Sequence, residues 1–544
     1  MKKTWRTLAA GLTCAAALTL GAQAAYSDVP AGHWAAAEID KATAAGFISG
    51  QGEGVFGLGQ TMTRAEFASM LTRLMGWDSA ADSTAAFSDV AAGAWYYDAV
   101  QTICANGAVD AGGAFRPGDS ITREEMAVML VRALGYTELA EDNADLSIPF
   151  TDVTTNRGYI AMAYDFGIIA GKSATSFDPN GTAKREEAAA MMVRLYDKYY
   201  DTLQSVHGFY AISSWNQRDL AAQMQAVSFG WARLEYADGA VRVNTTSEGG
   251  NTWRVPDGYT DATSYLAGTQ ENLAVQLTDQ TVANAVLLDA ANRHEAARQI
   301  VQTCNDLGLA GVTIDFEGMK GSDLKAGLTA FLTELRAQLG DKPLYVCVQP
   351  VIKSGGAYFD AYDYRAIGDI ADKVILMAHD YAATSMDDNM MAAGFTTTPV
   401  TPFEEVYYAL RCATDPDTGV QDVSKLVLGV STAGTAAWQV SDNGRTVLNQ
   451  TPIHPTIETI EKRLAQADTV IEYTMKYRNP CATYRDDNGV TTVLWYEDAR
   501  SIADKIELAR MFGVNELSIW RIGVIGQSAA NDMDMWSAIQ QQMN

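Results

Sequence analysis

A short sequence pattern recurs three times in the first 200 residues of this 544-residue chain, at intervals of 61 and 63 residues. The copies open with YSDV at Tyr26, FSDV at Phe87 and FTDV at Phe150. Each copy continues through a helical stretch and a glycine-rich turn into a second helix, which reads MTRAEFASMLTRLMG, ITREEMAVMLVRALG or AKREEAAAMMVRLYD. Repeated units of this kind bury their apolar faces against one another. The repeat therefore predicts an all-α module built from three similar parts.

The second helix of each copy begins with a capping pattern. Thr63 with Glu66, and Thr122 with Glu125, have the spacing at which each side chain accepts a hydrogen bond from the other residue's backbone N–H. Lys184 replaces the threonine in the third copy. Because losing a hydroxyl N-cap costs about 1 kcal/mol, we expect the third helix to lack this stabilisation.

These segments resemble the S-layer homology (SLH) domain, and the copies extend over residues 25–77, 86–137 and 149–200. Proteins of this family usually carry three such copies, which bind the pyruvylated secondary polymer of bacterial cell walls. The resemblance therefore implies an attachment to the cell wall or S-layer through the secondary cell wall polymer.

The resemblance also implies which side chains bind the polymer. The arginine of the TRAE-like motif would bind the anionic ketal, because a planar guanidinium donates two hydrogen bonds to a carboxylate. Tryptophans at the family's HW position are the other candidates. The candidate wall-polymer residues are Arg64, Arg123, Arg185, Trp34 and Trp95. Tyr159 replaces the tryptophan in the third copy, and ion pairs with neighbouring acids are the alternative role for the arginines.

Residues 1–24 have the pattern of a secretory signal peptide. Three cations in the first six residues precede an apolar stretch at 8–20, which is too short to span a bilayer. Small residues at Ala22 and Ala24 then suit cleavage before Ala25. We expect a secreted protein without membrane insertion after cleavage, and an uncleaved anchor is the alternative.

The charge of the chain excludes two kinds of main partner. Lys and Arg number 40 against 66 Asp and Glu, so the formal net charge is −26. Nucleic acids and anionic membranes attract clustered cations, and the chain has no Lys/Arg run. We therefore expect no nucleic-acid partner.

From Val206 onward, short apolar runs alternate with amphipathic helices, as in parallel α/β folds. Eight such runs predict the eight strands of a (β/α)8 TIM barrel. The expected strands are His207–Ile212, Ala226–Arg233, Ala285–Leu288, Gly311–Phe316, Leu344–Gln349, Val374–Ala378, Leu426–Val430 and Glu516–Trp520. We predict a barrel over residues 205–544, with an inserted subdomain at about 433–494 because that segment is too long for one loop.

Two acids follow the expected fourth strand. Asp315 and Glu317 are two residues apart on extended chain, so both side chains point to the same side. Catalytic groups of TIM barrels lie at the carboxyl ends of the strands, where two close carboxylates can divide acid and charge-stabilising roles. A surface turn or a metal site is the alternative for a DxE pattern.

Five segments of this region resemble glycoside hydrolase family 18, and in particular its spore-cortex-lytic branch. They are GVTIDFEGM (311–319), VILMAHD (374–380), LVLGVSTAG (426–434), LWYEDARSIADKIELARMFGV (494–514) and LSIWRIG (517–523). The family implies retaining, substrate-assisted hydrolysis. In that mechanism the acetamido oxygen of the −1 sugar attacks the anomeric carbon of the same sugar.

The resemblance assigns roles to individual side chains. Glu317 would protonate the leaving oxygen and then activate water, while an ionised Asp315 would orient the acetamido N–H and stabilise the oxazolinium ion. Trp520 would form the floor under the −1 sugar. The remaining substrate-binding candidates are His379, Asp380 and Thr313.

Three positions depart from the family's pattern. The family's DGxDxDxE reads AGVTIDFE here, so Ala310 and Thr313 stand in place of the two upstream acids. His379 replaces a tyrosine that holds the acetamido group, and an imidazole could donate the same hydrogen bond. The alternative is that His379 is a packed strand residue of an inactive relative.

These observations lead to one main hypothesis and two alternatives. The main hypothesis is a wall-anchored glycosidase acting on N-acetylglucosamine-containing glycans, either peptidoglycan or chitin-like chains. The alternatives are a catalytically inactive glycan-binding protein and a structural S-layer component. The sequence has no HExxH, paired CxxC or phosphate-binding glycine motif, so we expect no metal and no cofactor.

Overall fold

A computed structural model describes residues 26–80, 86–353, 360–442 and 444–544. The chain forms two compact units: Met1–Met126 with Asn180–Val193, and Ala127–Pro179 with Arg194–Asn544. The expected signal peptide at 1–24 lies outside the described residues. In the described part, no helix is both long and apolar enough to cross a membrane.

The repeats are helical, as their pattern predicts. The helices described in this part of the chain are α1 Ala36–Ala44, α2 Arg64–Leu74, α3 Tyr97–Ala105, α4 Arg123–Ala133, α5 Thr137–Asp142, α6 Arg157–Asp165 and α7 Arg185–Tyr199. Large apolar side chains such as Phe67, Leu71 and Leu130 are fully buried. Helices α2, α4 and α7 are the second helices of the three copies.

The capping boxes at α2 and α4 are present. The backbone N–H of Glu66 donates to the Thr63 hydroxyl and the backbone N–H of Thr63 donates to the Glu66 carboxylate. Thr122 and Glu125 make the same pair of bonds. In the third copy the backbone N–H of Lys184 still donates to Glu187 at 3.0 Å. The substitution therefore removes half of the box rather than all of it.

The recurrent aspartate of the opening motif holds the turn before each second helix. Asp28 accepts hydrogen bonds from the backbone N–H groups of Phe56, Gly57 and Leu58. Asp89 and Asp152 accept equivalent backbone bonds in the second and third copies. These bonds explain why each copy of the opening motif has an aspartate. The sequence alone does not reveal this role.

The second unit contains a closed barrel. The described strands are β1 Ser205–Tyr210, β2 Ala226–Ala237, β3 Ala240–Asn244, β4 Gln270–Leu277, β5 Gly311–Phe316, β6 Leu344–Val348, β7 Lys373–Leu376, β8 Leu426–Ser431, β9 Thr435–Val440, β10 Val470–Tyr473, β11 Pro480–Arg485, β12 Thr491–Tyr496 and β13 Glu516–Ile522. Eight of the described strands pair in parallel in the order β1-β13-β8-β7-β6-β5-β4-β2, and β2 pairs with β1 to close the ring. The predicted TIM barrel is confirmed.

Helices connect and follow the strands of the second unit. Those described are α8 Arg218–Ala221, α9 Tyr259–Tyr265, α10 Gln280–Leu287, α11 Ala290–Asp306, α12 Ser322–Leu339, α13 Tyr364–Ile370, α14 Asp388–Ala392, α15 Phe403–Ala413, α16 Ile457–Leu464, α17 Ala499–Met511 and α18 Met535–Gln542. The long helices between barrel strands bury apolar residues, as α11 does with Ala296 and Ile300, whereas α16 packs against β11.

One expected strand is wrong. Residues Ala285–Leu288 lie at the end of α10, and β4 is the third strand of the barrel. The apolar run AVLL suits a strand and a buried helix face equally well. The Asp279 side chain favours the helix, because it accepts hydrogen bonds from the backbone N–H groups of Thr281 and Val282 and so caps α10.

The segment between β8 and α17 forms a sheet of its own. Strands β9 to β12 pair antiparallel in the order β10-β11-β12-β9. Asn479 links this sheet to the barrel, because its side chain donates to Glu497 at 3.0 Å. Glu497 in turn forms a buried ion pair with Lys505 of α17 at 2.8 Å. Glu497 thus has a structural partner, and its neighbour Asp498 is the N-cap of α17.

Parts of the second and third copies pack against the other elements of the second unit. Asp165 of α6, in the third copy, accepts hydrogen bonds from Tyr407 at 2.5 Å and from Arg411 at 2.8 Å, both on α15. The Arg478 guanidinium lies over the rings of Tyr136, at the end of the second copy, and Phe403, at 4.9 and 4.4 Å. These contacts are not indicated by the sequence pattern of the repeats.

Candidate active site

Two acids lie where β5 ends at the mouth of the barrel. Every residue of β5 is buried, and Asp315 retains only 3% of its accessible surface. Glu317 follows the strand and is partly exposed. Both line a cavity of about 120 Å³. The structure therefore brings together the two acids that the sequence pairs.

Burial changes the protonation of both acids. Burial, followed by the nearby charge of Glu317, raises the pKa of Asp315 to about 8. Burial also raises the pKa of Glu317. The pair therefore holds at least one proton at neutral pH in the ligand-free protein. This differs from the expectation of an ionised Asp315, because the more deeply buried acid is the harder one to ionise.

One oxygen of Asp315 is a free acceptor. Its Oδ1 is buried without a hydrogen-bond partner among the described residues. A buried polar atom without a partner costs free energy. A ligand N–H group placed in the cavity would satisfy this oxygen.

His379 lines the same cavity. Its Nδ1 is 2.8 Å from Oδ2 of Asp380, and Asp380 adopts a left-handed backbone with φ of 59°. Burial lowers the pKa of His379, but the charges of Asp380, Glu317 and Asp315 outweigh burial and raise it overall. An imidazole in this position can donate a hydrogen bond into the cavity.

Thr313 lies below the cavity rather than on its wall. Its hydroxyl is 2.6 Å from that of Ser228, and His207 bridges Ser228 at 2.7 Å and Ser518 at 2.8 Å. Burial lowers the pKa of His207 to about 3, so this histidine is neutral. The position of the missing family acid is thus occupied by a neutral, hydrogen-bonded network.

Trp520 forms one side of the cavity, as the sequence suggests, and Trp253 accompanies it. The two indole rings are nearly parallel, with 17° between their planes and 6.0 Å between their centroids. Sequence analysis missed Trp253 because it lies in a loop without a motif. Two other tryptophans, Trp231 and Trp438, belong to the core and have no exposed surface, whereas Trp215 is exposed.

The candidate wall-polymer residues fall into two groups. Trp34 and Trp95 are 58% and 67% exposed. Arg64 and Arg185 are buried and pair with Glu125 and Glu66, each at 2.7 Å. Both acids belong to the capping box of another copy, so these ion pairs join neighbouring copies. The remaining candidate, Arg123, is buried as well, and so is Tyr159, which replaces the tryptophan in the third copy.

In the described part of the chain, no group of three or more His, Cys, Asp or Glu side chains could hold a metal ion. The cavity offers carboxylates, an imidazole and an indole face. This arrangement suits acid–base chemistry on a ligand that has both C–H faces and polar groups.

Comparison with known proteins agrees with this geometry. Residues 260–524 match the model of glycosyl hydrolases family 18, and residues 25–68, 86–127 and 149–189 match that of the S-layer homology domain. A cortical fragment-lytic enzyme of Bacillus anthracis is 25% identical over 245 residues, which are 44% of this chain and 53% of that protein. A surface-layer 125 kDa protein of Lysinibacillus sphaericus is 35% identical over 159 residues, 28% of this chain and 13% of that protein.

Among solved structures, the C-terminal domain of a Desulfitobacterium hafniense protein superposes with a TM-score of 0.51 at 21% identity, covering 63% of this chain and 100% of that one. This likeness concerns the fold alone. The chain spans about half the length of the curated lytic relatives it matches. The protein is thus composed of three S-layer homology repeats followed by a glycoside hydrolase family 18 domain.

Proposed function

We propose that the barrel hydrolyses β-1,4 bonds of N-acetylglucosamine-containing glycans with retention of configuration. The observation that carries the proposal is the cavity in which Glu317 lies beside a buried Asp315 with one unpartnered oxygen, next to the Trp520 ring. The relative of Bacillus anthracis whose name describes a cortical fragment-lytic enzyme supports a cell-wall glycan as substrate.

The first step needs an acid and an internal nucleophile. Glu317 donates its proton to the leaving glycosidic oxygen while the acetamido oxygen of the −1 sugar bonds to the anomeric carbon. The raised pKa of Glu317 suits this role, because burial favours the protonated form of the acid. In the second step the Glu317 carboxylate removes a proton from water as water attacks that carbon, and the acetamido group is restored.

Asp315 prepares the acetamido group for attack. The acetamido N–H donates to Oδ1, the atom without another partner. A hydrogen bond to the charged form of an acid lowers its pKa. Substrate binding therefore favours ionised Asp315 and leaves the proton of the pair on Glu317. The negative charge of Asp315 then stabilises the oxazolinium ion.

His379 supplies a hydrogen bond where the family has tyrosine. Its imidazole lines the cavity, and Asp380 occupies its Nδ1. Because the Asp380 carboxylate accepts from Nδ1–H, Nε2 donates to the acetamido oxygen when the imidazole carries both protons, a form that the raised pKa of His379 favours. The half-exposed Asp380 positions this ring and offers its second oxygen to the substrate.

We infer that the repeats attach a secreted protein to the wall through secondary cell wall polymer. Exposed Trp34 and Trp95 support this, because an indole face can stack on sugar rings. Arg64 and Arg185 already bind acids of other copies. Because both guanidiniums are also buried, the exposed tryptophans are the stronger candidates for direct contact with the polymer.

Muropeptide release from purified peptidoglycan tests the proposed activity. The full chain is compared with Glu317→Gln, which removes the proton donor and keeps the side-chain shape. The control is Glu334→Gln, a substitution on the outer helix α12. We expect release by the wild type and by the control, with at least a 100-fold loss for Glu317→Gln. Equal release by all three proteins would contradict the assignment, and no release by the wild type would favour the inactive-barrel alternative.

A further inference from the structure

A second cavity adjoins the catalytic one. It has a volume of about 310 Å³, and the two cavities share Phe209 and Trp520 in their walls. The ends of β1, β2 and β13 border it, together with the loop that carries Trp253. A glycan chain lying across Trp520 can therefore extend from the first cavity into the second.

The second cavity has a fixed aromatic wall. Trp253 lies against Gly230 of β2, where a Cβ atom would come within 3.2 Å of the indole ring. Any larger residue at Gly230 would displace the ring. The absence of a side chain thus lets Trp253 lie flat on the strand, nearly parallel to Trp520. The two stacked indoles give the cavity an aromatic wall against which the C–H face of a sugar ring can pack.

Arg521 contributes a cation to this wall. Its guanidinium donates to the Ser213 hydroxyl at 2.5 Å and is half-buried. Among the described residues, no carboxylate forms an ion pair with Arg521. Burial lowers its pKa, and no nearby acid opposes that effect. Other well-buried arginines of the barrel do have acidic partners, as Arg463 and Arg478 show.

The backbone around Arg521 is held in place. The Ser214 hydroxyl donates to the carbonyl of Ile522, and the Gln217 side chain accepts from the backbone N–H groups of Gly523 and Ile525 at 2.8 and 3.0 Å. These bonds fix the segment that carries the guanidinium. A preorganised cation in a cleft loses little conformational freedom when it binds an anion.

We propose that the second cavity binds the sugar preceding the −1 sugar, and that Arg521 binds a carboxylate carried by that sugar. The inference rests on the proposed glycosidase function and specifies its substrate class. Chitin-like chains have only neutral substituents there. In peptidoglycan, the neighbour of N-acetylglucosamine is N-acetylmuramic acid, whose 3-O-lactyl group ends in a carboxylate once the peptide is removed. The substrate class is therefore a peptide-free peptidoglycan strand.

Binding to defined oligosaccharides tests this inference apart from catalysis. The full chain with Glu317→Gln is titrated calorimetrically with a peptide-free peptidoglycan tetrasaccharide and with N,N′,N″,N‴-tetraacetylchitotetraose. We expect tighter binding of the carboxylate-bearing glycan by about 10- to 100-fold, the range of a charge-assisted hydrogen bond. Adding Arg521→Gln should abolish this preference, and adding Arg521→Lys should retain part of it.

The matched control is Arg242→Gln, which removes one positive charge from β3, where Arg242 pairs with Glu248. It should keep the preference. Equal binding of the two glycans, or a preference that survives Arg521→Gln, would overturn the inference.

Hydrolysis by the chain with Glu317 intact separates the two proposals. If that chain cleaves neither glycan while the binding preference depends on Arg521, the proposed function fails and the carboxylate site stands. If it cleaves both glycans with equal kcat/KM, and Arg521→Gln does not change their ratio, the carboxylate site fails and the glycosidase function stands.

Discussion

Asp315 and Glu317 are two residues apart, yet the barrel surrounds them to different degrees. The side chain of Asp315 is nearly inaccessible, whereas Glu317 reaches the cavity mouth. Sequence spacing predicts that the acids share a side, because alternation along a strand is regular. Spacing cannot predict the degree of burial, which depends on side chains from other strands such as Cys347 and Phe209. Which of the two acids carries a proton therefore depends on the tertiary structure and cannot be read from the spacing.

Replacing Asp315 with asparagine should change how stability depends on pH. The native pKa is raised to about 8, against about 4 in an unfolded chain, so the folded state holds the proton across this interval. Folding stability is then lost as pH rises from about 4 to about 8. We expect Asp315→Asn to lose part of this dependence, so that its stability relative to wild type increases with pH. Urea unfolding at pH 5 and pH 8 measures the change.

The control for this experiment is Asp306→Asn at the exposed end of α11. It should shift stability similarly at both pH values. A relative stability of Asp315→Asn that is the same at pH 5 and pH 8 would show that Asp315 is ionised in the folded protein.

At the scale of elements, the three copies show how repeated local chemistry builds repeated structure. The capping boxes of α2 and α4 follow directly from Thr–x–x–Glu, and half of that box survives at Lys184. The aspartates Asp28, Asp89 and Asp152 have no local sequence explanation, because their partners lie 24 to 30 residues away. Short-range bonds are therefore predictable from the repeat, and long-range bonds are not.

Restoring the missing hydroxyl should stabilise the third copy. Lys184→Thr lets the backbone N–H of Glu187 donate to a side-chain oxygen, as Thr122 does for Glu125. We expect the free energy of unfolding to rise by about 0.5–1 kcal/mol, measured by urea denaturation. Lys184→Val is the matched control, because it has the same shape without the hydroxyl. Equal effects of the two substitutions would contradict the capping explanation.

In the barrel, too, local features are predictable from the sequence and contacts between distant segments are not. Regular α/β alternation predicts eight strands, and the ring closes with eight, although the third predicted strand is a helix. The motif residues Asp315, Glu317, His379 and Trp520 all reach one cavity. The sequence could not predict that Trp253 and Arg521 line one cavity, because they come from a loop and from the end of β13, which are distant in the chain. Motifs thus predict the catalytic cavity, whereas its neighbour depends on tertiary structure.

At the scale of the whole molecule, a strongly acidic chain is expected to bind acidic polymers. Its formal net charge is −26, and because residues 1–24 carry three cations, residues 25–544 alone are more negative still. Long-range repulsion from an anionic wall is screened by salt. Attachment must therefore rest on short-range contacts, for which Trp34 and Trp95 are the exposed candidates.

Sedimentation with purified walls tests this attachment. We expect Trp34→Ala with Trp95→Ala to reduce wall binding of the full chain by at least tenfold, because stacking is lost. Tyr200→Ala, which removes an exposed aromatic ring at the end of the repeats, is the control. Wild-type binding should strengthen between about 50 and 300 mM salt as repulsion is screened. Weaker binding at high salt would instead indicate attachment by general charge attraction.

In the proposed mechanism, Glu317 and the substrate's own acetamido group cleave the glycan with retention. Proton NMR of a fresh reaction measures the anomeric configuration of the first product before it equilibrates. Retention predicts that the β-anomer appears first with the full chain, and that Glu317→Gln yields no product in the same interval. An α-anomer appearing first, or equal turnover by Glu317→Gln, would contradict it.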